Sequence, residues 1–151
     1  MKIAIGADHA GYELKEKIKA RLLKDGHNVT DEGTIDNNSV DYPDFAAKVA
    51  HDVADHRAQY GILVCGSGIG MAIAANKVQG IRAANINNLT EAQLSREHND
   101  ANVLAIGARL LKEEDAVKIV NTFLTTAWAA GRHAQRVEKI TALEAEACKK
   151  A

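Results

Sequence analysis

Proline occurs once in the 151 residues, at Pro43, and cysteine twice, at Cys65 and Cys148. No linker, internal repeat or low-complexity stretch divides the chain, so a single domain spanning 1–151 is expected. The two cysteines are far apart and follow no metal-site spacing. Nothing forms a local ligand cluster such as H-E-x-x-H, so no metal and no cofactor is expected. No apolar run approaches the roughly 20 residues that a membrane helix needs. No secretory leader opens the chain: Met1-Lys2 runs straight into Ile3-Ala4-Ile5 and then charged residues. These absences point to a reducing cytoplasm, away from membranes, with Cys65 a free thiol. Charge of one sign is missing too, since 19 Lys and Arg face 20 Asp and Glu for a net charge of -1. A general nucleic-acid binder shows a strongly basic face, so no nucleic-acid partner is expected. A site for one small anion needs only two or three arginines and stays open.

What is present is hydrophobic residue, 46% of the chain, in short apolar runs that alternate with longer amphipathic ones. Residues 2–6 read as a buried strand. Residues 12–25 read as a helix with Leu14, Ile18 and Leu22 on one stripe, Lys15, Glu16, Lys17 and Lys19 elsewhere, and Gly26 as its stop. A weak strand follows near 27–31. Pro43 opens a helix whose core stripe is Phe45, Val49 and Val53. Residues 61–65 form the clearest strand, and a helix starts in the glycine turn behind it and runs to about Lys77. Residues 81–84 make another strand. Thr90 with Gln93 reads as a capping box and Leu89 with Leu94 as a staple, placing a helix start at 90. Residues 103–106 give a fifth strand. Helices fit 113–128, on Val117, Val120 and Leu124, and 134–149, on Val137, Ile140 and Leu143. Five strands separated by helices imply a three-layer α/β/α sandwich around a Rossmann-like, five-stranded parallel sheet.

In such sheets ligands bind outside the carboxyl ends of the strands. Those ends hold Gly6-Ala7-Asp8-His9-Ala10-Gly11, Cys65-Gly66-Ser67-Gly68-Ile69-Gly70, the segment after Ala84, and Gly107–Arg109. A glycine turn entering a helix aims several amides at one spot and suits an anion; a tight turn with no ligand is the plain alternative. Cys65 sits where strand meets turn, a position that favours a thiolate able to act as nucleophile or base. The plain alternative is a core cysteine, and the attached glycine turn favours function. Asp8 can orient a histidine or a sugar hydroxyl, or simply cap a turn. His98 ends a helix, followed by Asn99. Arg132 and Arg136 are four apart on one helix face, and two guanidiniums converging on one point suit a phosphate. Cys148, Lys77, His27, His51 and His56 read as surface residues.

Together these segments carry a resemblance. The chain resembles the type B ribose-5-phosphate isomerase family, which also includes galactose-6-phosphate isomerase subunits and allose-6-phosphate isomerases. The matching runs are 3–11, Asp41-Tyr42-Pro43-Asp44, 65–70, Ala74-Ala75-Asn76-Lys77, 80–84, 95–104 and Gly131-Arg132-His133-Ala134-Gln135-Arg136. They cover nearly the whole chain in order. The resemblance implies a homodimer or homotetramer with sites at the subunit interface and the helix near 134–149 packing there. It implies a sugar-phosphate substrate and interconversion of ribose 5-phosphate and ribulose 5-phosphate through an enediolate. Allose 6-phosphate or another rare sugar is the alternative. It implies Cys65 as the base, His98 as the ring-opening group assisted by Asp8, and the 66–70 amides (Gly66, Ser67, Gly68, Ile69, Gly70) as the oxyanion cradle. Asn99 would contact the sugar, and His9, Arg109, Arg132 and Arg136 would hold the phosphate or line the pocket. Many members have threonine at position 67; Ser67 keeps the hydroxyl that can shuttle a proton and leaves a methyl's worth of room. Other members lack the cysteine and use a glutamate later in the turn, where this chain has Ala74. A galactose-6-phosphate isomerase fits less well, because its site is divided between two different subunits.

Three rivals make different demands. A dinucleotide-binding module wants G-x-G-x-x-G after the first strand, and 66–70 has the wrong spacing in the wrong place. A phospho-acceptor signalling domain wants an aspartate where Cys65 stands. A cysteine hydrolase built on Cys65 and His98 needs them within hydrogen-bond reach.

Overall fold

The computed structural model describes residues 1–150. Eleven elements follow in order: β1 (Lys2–Ala7), α1 (Tyr12–Lys24), β2 (Asn28–Asp31), α2 (Tyr42–Ala54), β3 (Tyr60–Cys65), α3 (Ile69–Ala75), β4 (Ala83–Asn85), α4 (Leu89–Glu97), β5 (Val103–Gly107), α5 (Glu113–Thr125) and α6 (Arg132–Lys149). The sheet is parallel throughout, in the order β2-β1-β3-β5-β4.

The three central strands are nearly continuous apolar runs because both of their faces are covered. Alternate residues therefore serve different layers. Ile3, Ile5, Ile62, Val64, Leu104 and Ile106 share one core with α1, α4 and α5. Ala4, Leu63, Cys65, Val103 and Ala105 share the other with α2 and α3. Each fully buried Ile or Leu contributes about 1.5–3 kcal/mol relative to exposure. The three-layer α/β/α sandwich expected from the sequence is what the chain forms.

Several boundaries and side chains differ from expectation. The helix placed at 90 begins at Leu89, capped by Asn88. Asn88 Oδ1 accepts the Glu91 N–H at 2.8 Å, while Glu91 Oε1 accepts the Asn87 N–H at 2.8 Å. The Thr90–Gln93 box is therefore displaced by two residues, and Leu89 and Leu94 are exposed rather than stapled. The helix after Cys65 stops at Ala75, because the Asn76 amide turns out to clip Ala83 through two hydrogen bonds of 2.9 and 2.7 Å. The fourth strand shifts to 83–85, since Asn102 takes the Arg82 backbone at the sheet's edge. α5 ends at Thr125 instead of 128, its Thr126 carbonyl captured by Arg96. Its stripe is Ala116, Ile119, Val120, Phe123 and Leu124, with Val117 only half-buried. Lys15 is not on the solvent side: it is 1% exposed and pairs with Asp31 at 2.7 Å. Burial works against the Asp31 charge, but hydrogen bonds from Lys15, Lys19 and the Gly33 amide hold its carboxyl below the usual range.

The last helix starts at Arg132, two residues earlier than expected, with Gly131 as its cap. None of its residues is buried. It is tied to the sheet side by Glu144, whose Oε1 accepts the Gly80 N–H at 2.8 Å. A cleft of about 690 Å³ opens between α6 and β4, lined by Ile140, Glu144 and Cys148 on one side and Ile81, Arg82 and Ala83 on the other.

Candidate active site

The strand order reverses at β1. The chain moves from β1 to β2 on one side, then crosses back to put β3 on the other. A crevice forms at the carboxyl ends where neighbouring connections leave in opposite directions. Asp8 and His9 follow β1 there, and Cys65 ends β3. The Asp8 N–H donates to Val64 O at 3.2 Å, which locks the two strand ends together.

Cys65 is 5% exposed, at the margin of the α2–α3 core. Its Sγ accepts the Gly68 N–H at 3.1 Å, and Ser67 Oγ accepts the Ile69 N–H at 3.2 Å. The turn that aims these amides requires a left-handed residue, supplied by Gly68 at φ 83°. It also requires close passage of two backbones, since a Cβ on Gly107 would stand 2.7 Å from the Ser67 backbone. Asn85 closes the turn from the side, its Nδ2 donating to Ser67 O and Ala105 O at 3.2 Å each. Arg109 lies over Gly66, with Nη1 3.1 Å from where a Cβ would be. Its own N–H donates to Gly66 O at 3.1 Å. Tyr42 covers the far end of the turn, its ring packed against Gly70.

Asp8 performs the turn role, accepting the Gly11 N–H at 3.0 Å through Oδ1. His9 Nδ1 accepts the Val40 N–H at 3.2 Å, tying the loop before α2 to the crevice. One end of the sheet thus gathers Asp8, His9, Cys65, the 66–70 turn and Arg109.

The remaining candidates lie elsewhere. His98 and Asn99 precede β5 and sit at the amino edge of the sheet. Arg82 Nε donates there to Asn99 O at 3.1 Å and to Asp100 O at 3.0 Å. Val103 to Gly107 is four strand steps, so about 13 Å of sheet separates this edge from the one bearing Cys65. Arg132 and Arg136 belong to the same far edge, because the start of α6 lies against the end of α4. The Ala129 N–H donates to Glu97 O at 3.2 Å, and the His133 ring stacks on His98 with centroids 4.1 Å apart. Burial first, then His98, Arg132 and Arg136, push the His133 imidazole below its ordinary range, with Glu97 opposing. The fold of one chain does not bring His98 to Cys65. It leaves two separate clusters of candidate residues, one at each edge of the sheet.

Sequence reasoning gave no role to Asn85, Tyr42 or His133. Tyr42 and His133 lie inside runs that carried the resemblance, and Asn85 falls in the segment after strand four that was marked for its position. Among the described residues no group of three or more His, Cys, Asp or Glu could hold a metal ion, and no helix is long and apolar enough to cross a membrane.

The chain is thus a parallel α/β sandwich with a cysteine and an anion-suited glycine turn at its topological switch point. The match to known proteins is more specific. The Ribose/Galactose Isomerase family model matches residues 3–140, and the chain belongs to that family. Ribose-5-phosphate isomerase B of Escherichia coli (strain K12) is 50% identical over 143 residues, 95% of this chain and 96% of that protein. Ribose-5-P isomerase B of Listeria innocua is 44% identical over 138 residues, 91% of this chain and 93% of the other. The Clostridium thermocellum ribose-5-phosphate isomerase B structure superposes with a TM-score of 0.96 at 52% identity, covering 97% of this chain and 99% of that one. The Mycoplasma genitalium enzyme, solved with bound ribulose-5-phosphate, gives 0.93 at 40% identity, covering 96% and 97%.

Proposed function

We propose that this chain interconverts ribose 5-phosphate and ribulose 5-phosphate in a site that two copies of it build together. The observation that carries the reading is a cysteine sulfur at the switch point, with an amide donor on it and a serine hydroxyl two residues on. Family membership and the residue clusters at opposite sheet edges support it.

Isomerisation needs a weak carbon acid deprotonated beside a carbonyl, hence a positioned base and donors for the growing oxyanion. His98 from a second copy delivers a proton to the sugar ring oxygen while Asp8 takes up the proton of the C1 hydroxyl, and the furanose opens. The Cys65 thiolate removes the proton from C2, leaving an enediolate whose charge is taken up by the amides of the 66–70 turn. Ser67 Oγ passes a proton between O1 and O2. The Cys65 thiol then returns its proton to C1, and the ketose is complete with no net gain or loss of protons. Asn99 holds sugar hydroxyls, while His9, Arg109, Arg132 and Arg136 hold the phosphate. That remote anion supplies binding energy that fixes the reacting carbons in place.

The assembly is a homodimer, or a tetramer made of two such dimers, with the unburied α6 packing across the interface of single-domain subunits. Both cysteines are free thiols, which suits a reducing cytoplasm. Replacing Cys65 by Ala is the direct test. Turnover should fall by about 10²–10⁴-fold or more, the usual share of a general base, while calorimetry still detects ribose 5-phosphate binding. Near-normal turnover would remove Cys65 as the base. Ser67 in place of threonine leaves room for a longer sugar, so kcat/KM for allose 6-phosphate belongs in the same measurement.

A further inference from the structure

His133 has no place in the mechanism above, yet it touches a residue that does. It is the second residue of α6 and lies face to face with His98, centroids 4.1 Å apart and planes 17° from parallel. The backbone goes to some length to put it there. Ala130 and Gly131 both take positive φ, 52° and 55°, in the turn that starts α6, and the His133 N–H returns to Ala130 O at 3.0 Å. Trp128 leans on the same ring at 6.4 Å, tilted by 52°. Arg96 ties the two connections together, reaching Thr126 O on one and Ala101 O on the other. The stack is thus held from both α4 and α6.

A histidine at the end of a helix has a ring free to swing about its last torsion. A flat partner at van der Waals distance removes that freedom and fixes the direction in which the ring nitrogens point. The charges facing the pair are Glu97 from α4 and Arg132 and Arg136 from α6. Burial, a charge on His98 and the two arginines beside it all work against a proton on the His133 ring. The ring therefore favours its uncharged form.

We propose that His133 is a positioning residue for ring opening: as a flat plate stacked on His98, it sets the angle at which that imidazole meets the sugar ring oxygen, and it takes no part in the proton transfer between C2 and C1. This rests on the isomerase reading and assigns its two chemical steps to different histidine requirements.

The two substrates separate those steps. Ribose 5-phosphate is closed by its O4 on C1 and must open. Ribulose 5-phosphate has its O5 esterified, cannot close a five-membered ring on C2, and enters open. Deuterium wash-in at C1 of ribulose 5-phosphate in heavy water therefore reports Cys65 chemistry without ring opening. For His133→Ala, turnover of ribose 5-phosphate should fall by about 10–100-fold, the scale of a misaimed catalytic group, while the wash-in rate from ribulose 5-phosphate is unchanged. His133→Phe, which restores a flat face and no proton, should recover most of the loss. Equal falls in both rates would make His133 merely structural, and no fall in either would make it dispensable. Failure of phenylalanine to rescue would dismiss the plate. In each of those cases the unaltered enzyme still isomerises, so the functional reading stands apart; an unaltered enzyme that neither isomerises nor exchanges would end both.

Discussion

Asp52 Oδ2 is buried and has no hydrogen-bond partner, the one such side-chain atom among the described residues. Its neighbour Glu32 explains how this is tolerated. Hydrogen bonding to Asp52 comes first, then burial and the Asp52 charge, and together they lift the Glu32 carboxyl above the usual range against Lys48 and Arg57. Protonated, Glu32 gives Asp52 a donor; ionised, it sets two carboxylates side by side. The sign follows from a folded-state pKa that is raised. The stabilisation is complete below the unfolded glutamate range and is lost as pH rises through the higher folded value. Glu32→Gln supplies a permanent donor, so it should raise the melting temperature at pH 8 and change it little at pH 4.5. Equal shifts at both pH values would mean the proton plays no part. Neither partner stood out in the sequence, because Glu32 and Asp52 are 20 positions apart and each looks like an ordinary surface acid. Asp8 and Cys65, by contrast, stood out because one follows and the other ends an apolar strand, at points where glycine breaks the pattern.

Helices and strands carry a second kind of information, which is where their ends go. Arg96 lies 4% exposed on α4, yet its guanidinium reaches beyond its own helix. It donates to Asp100 Oδ1 at 2.8 Å, Ala101 O at 2.6 Å and Thr126 O at 3.2 Å, and lies 4.9 Å from the Tyr60 ring centroid. Replacing it by Ala orphans two carbonyls and loosens the links that hold His98 and α6. Asp100 keeps Arg82 and water, so the cost should be about 3 kcal/mol, the low end for a broken buried pair. That corresponds to a melting temperature lower by about 6–12 °C for a chain of this size. Arg96→Lys should rescue little, since an ammonium holds its donors on one nitrogen and cannot span acceptors that Arg96 reaches from both Nε and Nη1; full rescue would show that charge alone matters. Element types were legible throughout, because apolar runs bounded by glycine or polar turns distinguish buried strands from amphipathic helices. Their ends were not. Asn88, Asn76 and Arg96 each set a boundary through a side chain that reaches across sequence, and no local periodicity encodes that reach.

For the molecule as a whole, topology decides which residues can meet. Parallel strands send every strand exit to one edge and every return to the other, so Cys65 and His98 cannot share a site within one chain. The family resemblance implied roles for both residues and a site between subunits, but the split between edges became visible only with the strand order. In the two-fold dimer proposed above, the amino edge of one subunit would meet the carboxyl edge of the other, twice over. Cys65→Ala and His98→Ala variants should each be inactive on ribose 5-phosphate alone. Mixed and allowed to exchange subunits, they form heterodimers in which both lesions fall in one site and the other site is intact. Half the dimers are then mixed and each has one working site of two, so activity should recover to about a quarter of the unaltered enzyme. A mixture that stays as inactive as its components, with exchange verified by mass, would require both residues to act within a single chain, and the strand order forbids that arrangement.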